Sequence, residues 1–246
     1  LSAIPISYKD TNLRTAAVIP AAGRGVRLGP GAPKALRTLG GVPILVHAVR
    51  AMAAARAVQV IVVVAPPEDT AEVRALLDAH GLPETTDIRV VPGGGVRQES
   101  VRLGLAALPQ DVDVVLVHDA ARPLVPVETV EGVVEAVRAG APAVVPALRP
   151  ADTVKTVDPD TGAVTGTPPR DLLRAVQTPQ GFDRVTLAKA HAEVTHDVTD
   201  DASMVEQLGV PVLVVPGHEE AFKVTRPLDL VLAEAVLARR RATDGF

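Results

Sequence analysis

The chain is predicted to fold as an α/β protein: a Rossmann-like, mostly parallel sheet flanked by helices, with a protruding β-hairpin arm. Three observations predict this. Short β-branched runs alternate with helical patterns from residue 16 to residue 145, and such alternation lays parallel strands between two layers of helix. The run Val58-Gln-Val-Ile-Val-Val-Val64 is apolar almost throughout, as in strands buried on both faces. The alternation breaks after Pro146, where two β-rich runs enclose a Pro/Asp/Gly turn.

The elements follow in order. Residues 16–19 form a first strand, and 44–56 a helix entered from the Gly40-Gly41 turn. Residues 58–64 form the second strand, 68–79 a helix that stops at Gly81, and 88–91 the third strand. A helix at 98–108, a strand at 112–117, a helix at 127–139 and a strand at 143–145 complete the regular part. Within 149–170, Thr153-Val-Lys-Thr-Val157 and Ala163-Val-Thr-Gly-Thr167 flank the turn Asp158-Pro-Asp-Thr-Gly162. This hairpin holds too few large apolar residues to bury a face against its own domain, and a lone two-stranded hairpin is marginal in water. A second copy of the chain is the expected cover, giving an isologous homodimer. Helices near 183–191 and 200–208, a strand at 212–215 and a helix from Pro227 towards Arg241 close the chain. Residues 15–242 thus read as one domain, and 1–14 as a flexible extension.

Composition excludes several classes of function. Of 246 residues 47% are hydrophobic, yet only Tyr8, Phe182, Phe222 and Phe246 are aromatic. The core must therefore be Val, Leu, Ile and Ala, and the stacking platforms of single-stranded nucleic-acid binding are missing. A net charge of -4 gives no broad basic field for a duplex. Cysteine is absent, which removes disulfides, thiolate zinc sites and cysteine nucleophiles and suits a reducing cytoplasm. The first 14 residues lack the pattern of a signal peptide, and no apolar stretch approaches the ~20 residues that span a bilayer.

The most telling segment is 20–34, Pro-Ala-Ala-Gly-Arg-Gly-Val-Arg-Leu-Gly-Pro-Gly-Ala-Pro-Lys. Small residues, Gly23 and Gly25 among them, let backbone approach a ligand, and runs of N–H groups in such turns bind anions. From Thr11 to Pro67 there is no Asp or Glu, while Arg14, Arg24, Arg27, Lys34, Arg37, Arg50 and Arg56 fall inside. This is a cradle for a polyphosphate. Lys34 lies between Pro33 and Ala35 rather than in Gly-Lys-Ser/Thr, and Leu28 stands where a dinucleotide fingerprint has its third glycine, so neither familiar motif applies.

Other candidates sit where strands end, which is where open α/β sheets bind ligands. Gly93-Gly94-Gly95, with Arg97 and Ser100 beyond, suits close approach to a base or ribose. His118-Asp119 follows a strand, with Arg122 three residues on; Asp119 could hold Mg²⁺ beside phosphate oxygens, or pair with Arg122, or cap a helix. His118 reads as a buried hydrogen-bonding residue. Thr178-Pro-Gln180 and Thr199-Asp-Asp-Ala-Ser203 place hydroxyls and carboxylates in loops, where Asp200 or Thr199 could cap the next helix. Lys223 falls on a short strand.

Together these segments, with Asp152-Thr-Val-Lys155, Gln177-Thr-Pro-Gln180 and Lys223-Val-Thr225, resemble in order the 2-C-methyl-D-erythritol 4-phosphate cytidylyltransferases. The resemblance runs from about residue 15 to 240, and Val117-His-Asp-Ala-Ala-Arg-Pro123 with Gln-Thr-Pro-Gln is its most specific part. It implies a Mg²⁺-dependent enzyme that joins CTP to methylerythritol phosphate for isoprenoid precursors. It makes Arg27, Lys34 and Lys223 the cations around the reacting phosphates. Asp119 becomes the Mg²⁺-associated carboxylate, with Glu220 a weaker second. Ala21, Ala22, Gly94 and Ser100 become cytidine contacts, and Thr178 and Thr199 acceptor contacts. Thr153 and Arg170 would reach the acceptor phosphate from a partner subunit. Ala221 departs from the Asp-Asn-Ile-Lys or Glu-Asn-Ile-Lys of many members. A phosphate monoester with a second pKa of ~6 is mostly dianionic at pH 7, so no general base is needed and none is seen. The rival readings are a ribitol-5-phosphate cytidylyltransferase and a non-catalytic nucleotide sensor, and the joint presence of Lys34, Asp119 and Lys223 favours an enzyme.

Overall fold

A computed structural model describes residues 13–23, 37–196 and 198–243. In chain order the elements are β1 (Thr15–Pro20), β2 (Thr38–Leu39), β3 (Val42–Pro43), α1 (Ile44–Ala54), β4 (Val58–Ala65), α2 (Thr70–Asp78), β5 (Asp87–Pro92) and α3 (Arg97–Ala106). There follow β6 (Val114–Val117), α4 (Val127–Arg138), β7 (Ala143–Leu148), β8 (Thr156–Val157), β9 (Val164–Gly166), β10 (Ala175–Val176) and β11 (Gln180–Asp183). Then come α5 (Arg184–Glu193), α6 (Asp201–Gln207), β12 (Leu213–Pro216) and α7 (Pro227–Thr243).

β1 lies at the centre of an eight-stranded sheet, paired in parallel with β4 on one side and β6 on the other, and β5 extends the β4 side. The direction of travel therefore reverses at β1, and the loops after β1, β5 and β6 open at the same end of the sheet. Residue alternation sends Ala17 and Ile19 of β1 into one core and Ala16 and Val18 into the other, as the two-residue period requires. The first core takes Leu45, Val49 and Met52 of α1, Val73 and Leu77 of α2 and four valines of α4; the second takes Val101 of α3, Leu187 of α5 and Met204 of α6. A third cluster of Leu39, Ile44, Leu124, Val224 and Ala233 binds α7 to the end of the sheet that carries these loops.

The alternation predicted from sequence is present, with a strand added. β11 wedges antiparallel between β6 and β7, and β10 pairs with the end of β7. Gln180-Gly-Phe-Asp183 has one large apolar residue, too few to read as a strand. Gly181 matters there: a Cβ would lie 2.4 Å from Val133 Cγ1, so its absence lets α4 settle on the sheet. Two other expectations are corrected. Lys223 is in no strand but follows a single turn of 3-10 helix at Glu219–Ala221; Val224 N–H donates to the Ala121 carbonyl of a loop at 2.8 Å, so no ladder can form. Leu13 packs on the core and Arg14 N–H donates to Asp113 at 3.0 Å, so residues 13 and 14 belong to the domain; residues 1–12 lie outside the described ones.

The arm forms as β8 and β9, antiparallel with Val157 opposite Val164. Both valines are more than half exposed. Among the described residues no helix is long and apolar enough to cross a membrane.

Candidate active site

The loops after β1, β5 and β6 enclose a cavity of about 240 Å³, lined by Ala21, Ala22, Gly94, Ser100, Asp119 and Lys223 among others. Its floor is fixed by backbone bonds that run on past the strand ends: Ala21 N–H donates to Val64 at 2.8 Å, and Gly93 N–H to Ala65 at 2.7 Å. Only glycine fits at 93, since a Cβ would lie 2.9 Å from both Ala22 Cβ and Ser100 Oγ. Ser100 is buried. Its hydroxyl accepts from Gly94 N–H at 3.2 Å and donates to the Val96 carbonyl at 3.1 Å, and Glu99 accepts from Gly95 N–H at 2.8 Å. The three-glycine turn is thereby held as a flat shelf.

Asp119, just past the end of β6, gathers cations. Lys223 Nζ lies 2.8 Å from its Oδ2, Arg122 Nε lies 3.7 Å from the same oxygen, and Arg97 Nε lies 3.7 Å from Oδ1. Burial alone would raise the Asp119 pKa. Lys223, then Arg97 and Arg122, outweigh it and hold the group down at about 2, so it is ionised at any working pH. Arg122 also donates to the Ala221 carbonyl at 2.6 Å, tying the Lys223 loop to the β6 loop.

Behind Asp119 runs a chain of hydrogen bonds with a single possible polarity. Asp119 N–H donates to Thr178 Oγ1 at 3.0 Å, the Thr178 hydroxyl donates to His118 Nδ1 at 3.0 Å, and His118 Nε2–H donates to the Arg122 carbonyl at 3.1 Å. A carbonyl only accepts, so Nε2 carries the hydrogen and Nδ1 is the acceptor. Burial pushes the His118 pKa down to about 4, which keeps the ring neutral, as this pattern requires. His118 is thus the hydrogen-bonding residue expected, and the Thr178 hydroxyl serves to place Asp119.

A second cavity of about 230 Å³ is lined by Arg122, Thr178, Thr199 and Asp200 together with Arg97, Asp119 and Lys223. The last three also line the first cavity. They form a common wall, with a ligand able to lie on each side of it. The glutamines of the 177–180 segment brace the second cavity: Gln177 exchanges two bonds with the His218 backbone, and Gln180 bonds Asp200 and Ala202 N–H. Asp200 caps α6 by accepting from Ser203 N–H at 3.0 Å.

The structure brings together Ala21, Ala22, Gly23, Gly94, Ser100, Asp119, Thr178, Thr199 and Lys223 of the sequence candidates. Gly25, Arg27 and Lys34 lie outside the described residues. Thr153 and Arg170 are exposed on the arm and line neither cavity of their own chain. Glu220 lies apart from the others: its carboxylate bonds Arg239 and Arg240 of α7, and it lines neither cavity. Two residues that the sequence placed in candidate segments without a role of their own belong to the site. Arg97 is in the wall, and its place directly after the glycine turn was the available signal. Asp201 holds Arg97, and nothing in sequence marks a pairing across 104 positions.

The wall fits a divalent cation supplied with phosphate. Asp119 offers an ionised carboxylate, its Oδ1 standing 3.7 Å from Arg97 Nε, and Mg²⁺ takes one or two carboxylates plus substrate phosphates. Among the described residues there is no group of three or more metal-ligating side chains, so a cage made wholly of protein is not what they build.

Comparison with known proteins gives the family. Residues 15–239 match the family model described as 2-C-methyl-D-erythritol 4-phosphate cytidylyltransferase. A protein of that name from Streptomyces avermitilis is 75% identical, with 95% of each chain covered. Its counterpart from Streptomyces coelicolor is 74% identical over 95% of this chain and 88% of that one. Among solved structures, 4-diphosphocytidyl-2C-methyl-D-erythritol synthase from Anaerococcus prevotii superposes with a TM-score of 0.79 at 29% identity, covering 92% of this chain and 99% of that one. The cytidylyltransferase from Thermus thermophilus gives 0.71 at 35% identity, covering 91% and 98%.

Proposed function

The chain belongs to the 2-C-methyl-D-erythritol 4-phosphate cytidylyltransferase family, and on that footing we propose that CMP changes hands across the wall of Asp119, Lys223 and Arg97. As a member, the enzyme transfers CMP from CTP to 2-C-methyl-D-erythritol 4-phosphate and releases pyrophosphate, in the synthesis of isoprenoid precursors. The observation that carries the proposed layout is the pair of cavities sharing those three side chains.

CTP occupies the first cavity. Its base rests on the shelf of Gly94 and Ser100 against Ala21 and Ala22, read by backbone groups and limited in size by the fixed floor. Gly23 and Gly25 let the triphosphate approach the backbone, with Arg27 and Lys34 as its counter-charges. The acceptor lies in the second cavity beside Thr199, next to Thr178 and Arg122. One oxygen of its phosphate attacks the α-phosphorus, an O–P bond forms, and the bond to the β-phosphate oxygen breaks as pyrophosphate leaves. The attacking group is already ionised, so the residues have only to position and to neutralise charge. Lys223 and Arg97, facing both cavities, stand where that charge grows. Mg²⁺, held by Asp119, would neutralise phosphate charge further.

In this reading Thr153 and Arg170 of the arm serve the acceptor site of a second copy, the working unit is a homodimer, and the cytoplasm is its setting. The direct test is pyrophosphate release from CTP with methylerythritol phosphate or ribitol phosphate offered separately. Release with the first alone is expected. Release with ribitol phosphate alone would overturn the assignment of the acceptor.

A further inference from the structure

Asp201 is 1% exposed, at the start of α6 and behind the wall. Both of its oxygens are used: Oδ1 accepts from His191 Nε2 at 3.0 Å, and Oδ2 accepts from Arg97 at 2.7 Å. A carboxylate kept in so dry a place needs a partner for each oxygen, and one partner here is a wall residue. The same guanidinium approaches Asp119 only to 3.7 Å, beyond hydrogen-bond length. Arg97 is therefore shared unequally between two carboxylates. The buried one holds it, and the one in the wall does not.

We propose that Asp201 is a positioning residue: it tethers Arg97 and holds it off Asp119, so that Asp119 Oδ1 stays open to a ligand bound with the nucleotide. The tether fixes where the cation stands, and His191 fixes the tether. Without it the guanidinium turns to the remaining anion, caps Oδ1 and withdraws from the second cavity. This inference rests on the proposed role of the wall and adds a residue to it that meets neither substrate.

The test is a double-mutant cycle of Asp201→Asn and Arg97→Ala. Two quantities are read for each protein: pyrophosphate release as Mg²⁺ is varied, and binding of Mn²⁺ to the CTP complex by electron paramagnetic resonance. Removing a partner that orients a ligand-bearing residue typically costs about tenfold or more in metal affinity, and Asp201→Asn is expected to weaken Mn²⁺ binding by about that factor. In the Arg97→Ala background the same change is expected to weaken it less than about twofold, because the group that caps Oδ1 is gone. A purely structural role would leave the loss the same in both backgrounds, and that result overturns the proposal. So does normal Mn²⁺ binding by Asp201→Asn, or a parent enzyme that is active and indifferent to metal. Should Asp201→Asn fail to fold, His191→Phe, which loosens the tether at its other end, takes its place in the cycle. An inactive parent would count against the functional reading itself, a result separate from all of these.

Discussion

Among the cations of the described residues Lys223 makes the shortest contact to Asp119, and it faces both cavities. Replacing it by alanine should lower kcat by ~10² or more with a smaller change in the KM for the acceptor, since a cation matched to developing charge acts chiefly in the transition state. Steady-state rates of pyrophosphate release check this, with melting curves to confirm that the variant is folded. His118 gives a prediction in pH. Its pKa in the folded chain is about 4, against 6.5 ordinarily. Between those values the unfolded chain takes up a proton that the folded chain refuses, so stability is lost as pH falls from 6.5 towards 4. The loss from this group is about 2 kcal/mol at pH 5. Denaturant melts at pH 7 and pH 5 should show His118→Gln losing less than the parent over that interval, despite a lower starting stability. Much at this scale was legible in sequence: Asp119, Ser100 and Lys223 were marked by where strands end and by motif. The uses of Thr178 and Asp201 were not, because a hydroxyl or carboxylate in a loop says nothing of which distant atom it will meet.

At the scale of elements, β-branched runs such as that of β4 announce themselves because both faces are buried. β11 does not, for its place is secured by its neighbours rather than by its own side chains. Gly181 carries that point into experiment. Alanine there puts a Cβ 2.4 Å from Val133 and 3.1 Å from Val137, so α4 must shift, and overpacking of this kind costs about 1–3 kcal/mol. Urea unfolding should show that loss. Part of it should be recovered by Val133→Ala, which opens the space. The short pair β2 with β3 shows the opposite limit: Gly40 and Gly41 mark its turn, yet strands of two residues lie below what periodicity can define. The Lys223 segment was read as a strand because Val224 and its neighbours suit one. It is held by the Val224 bond to Ala121, by Arg122 on the Ala221 carbonyl, by the Lys223–Asp119 pair and by the burial of Val224 among Leu39, Ile44 and Leu124.

For the whole molecule, the arm decides how many chains make one active site. If Arg170 serves the partner, Arg170→Ala and Lys223→Ala proteins, each inactive alone, should regain activity when mixed under conditions of subunit exchange. A heterodimer would hold one site with both residues intact. Exchange shown by labelled subunits without recovered activity would place Arg170 in its own subunit's site. The bond between Val224 and Ala121 has a further consequence, for the order in which a ribosome delivers the parts. The shelf, Asp119 and its cations at 97 and 122 all emerge before the arm does, while Lys223 emerges last and is pinned by α7. The nascent chain can therefore lay down its strands and Arg97 before Lys223, the other cation that faces both cavities, is made. Closing so long a loop is entropically costly, and the apolar seal around Val224 and Ala233 keeps it closed. The wall thus receives its last cation only after the sheet that carries it is in place.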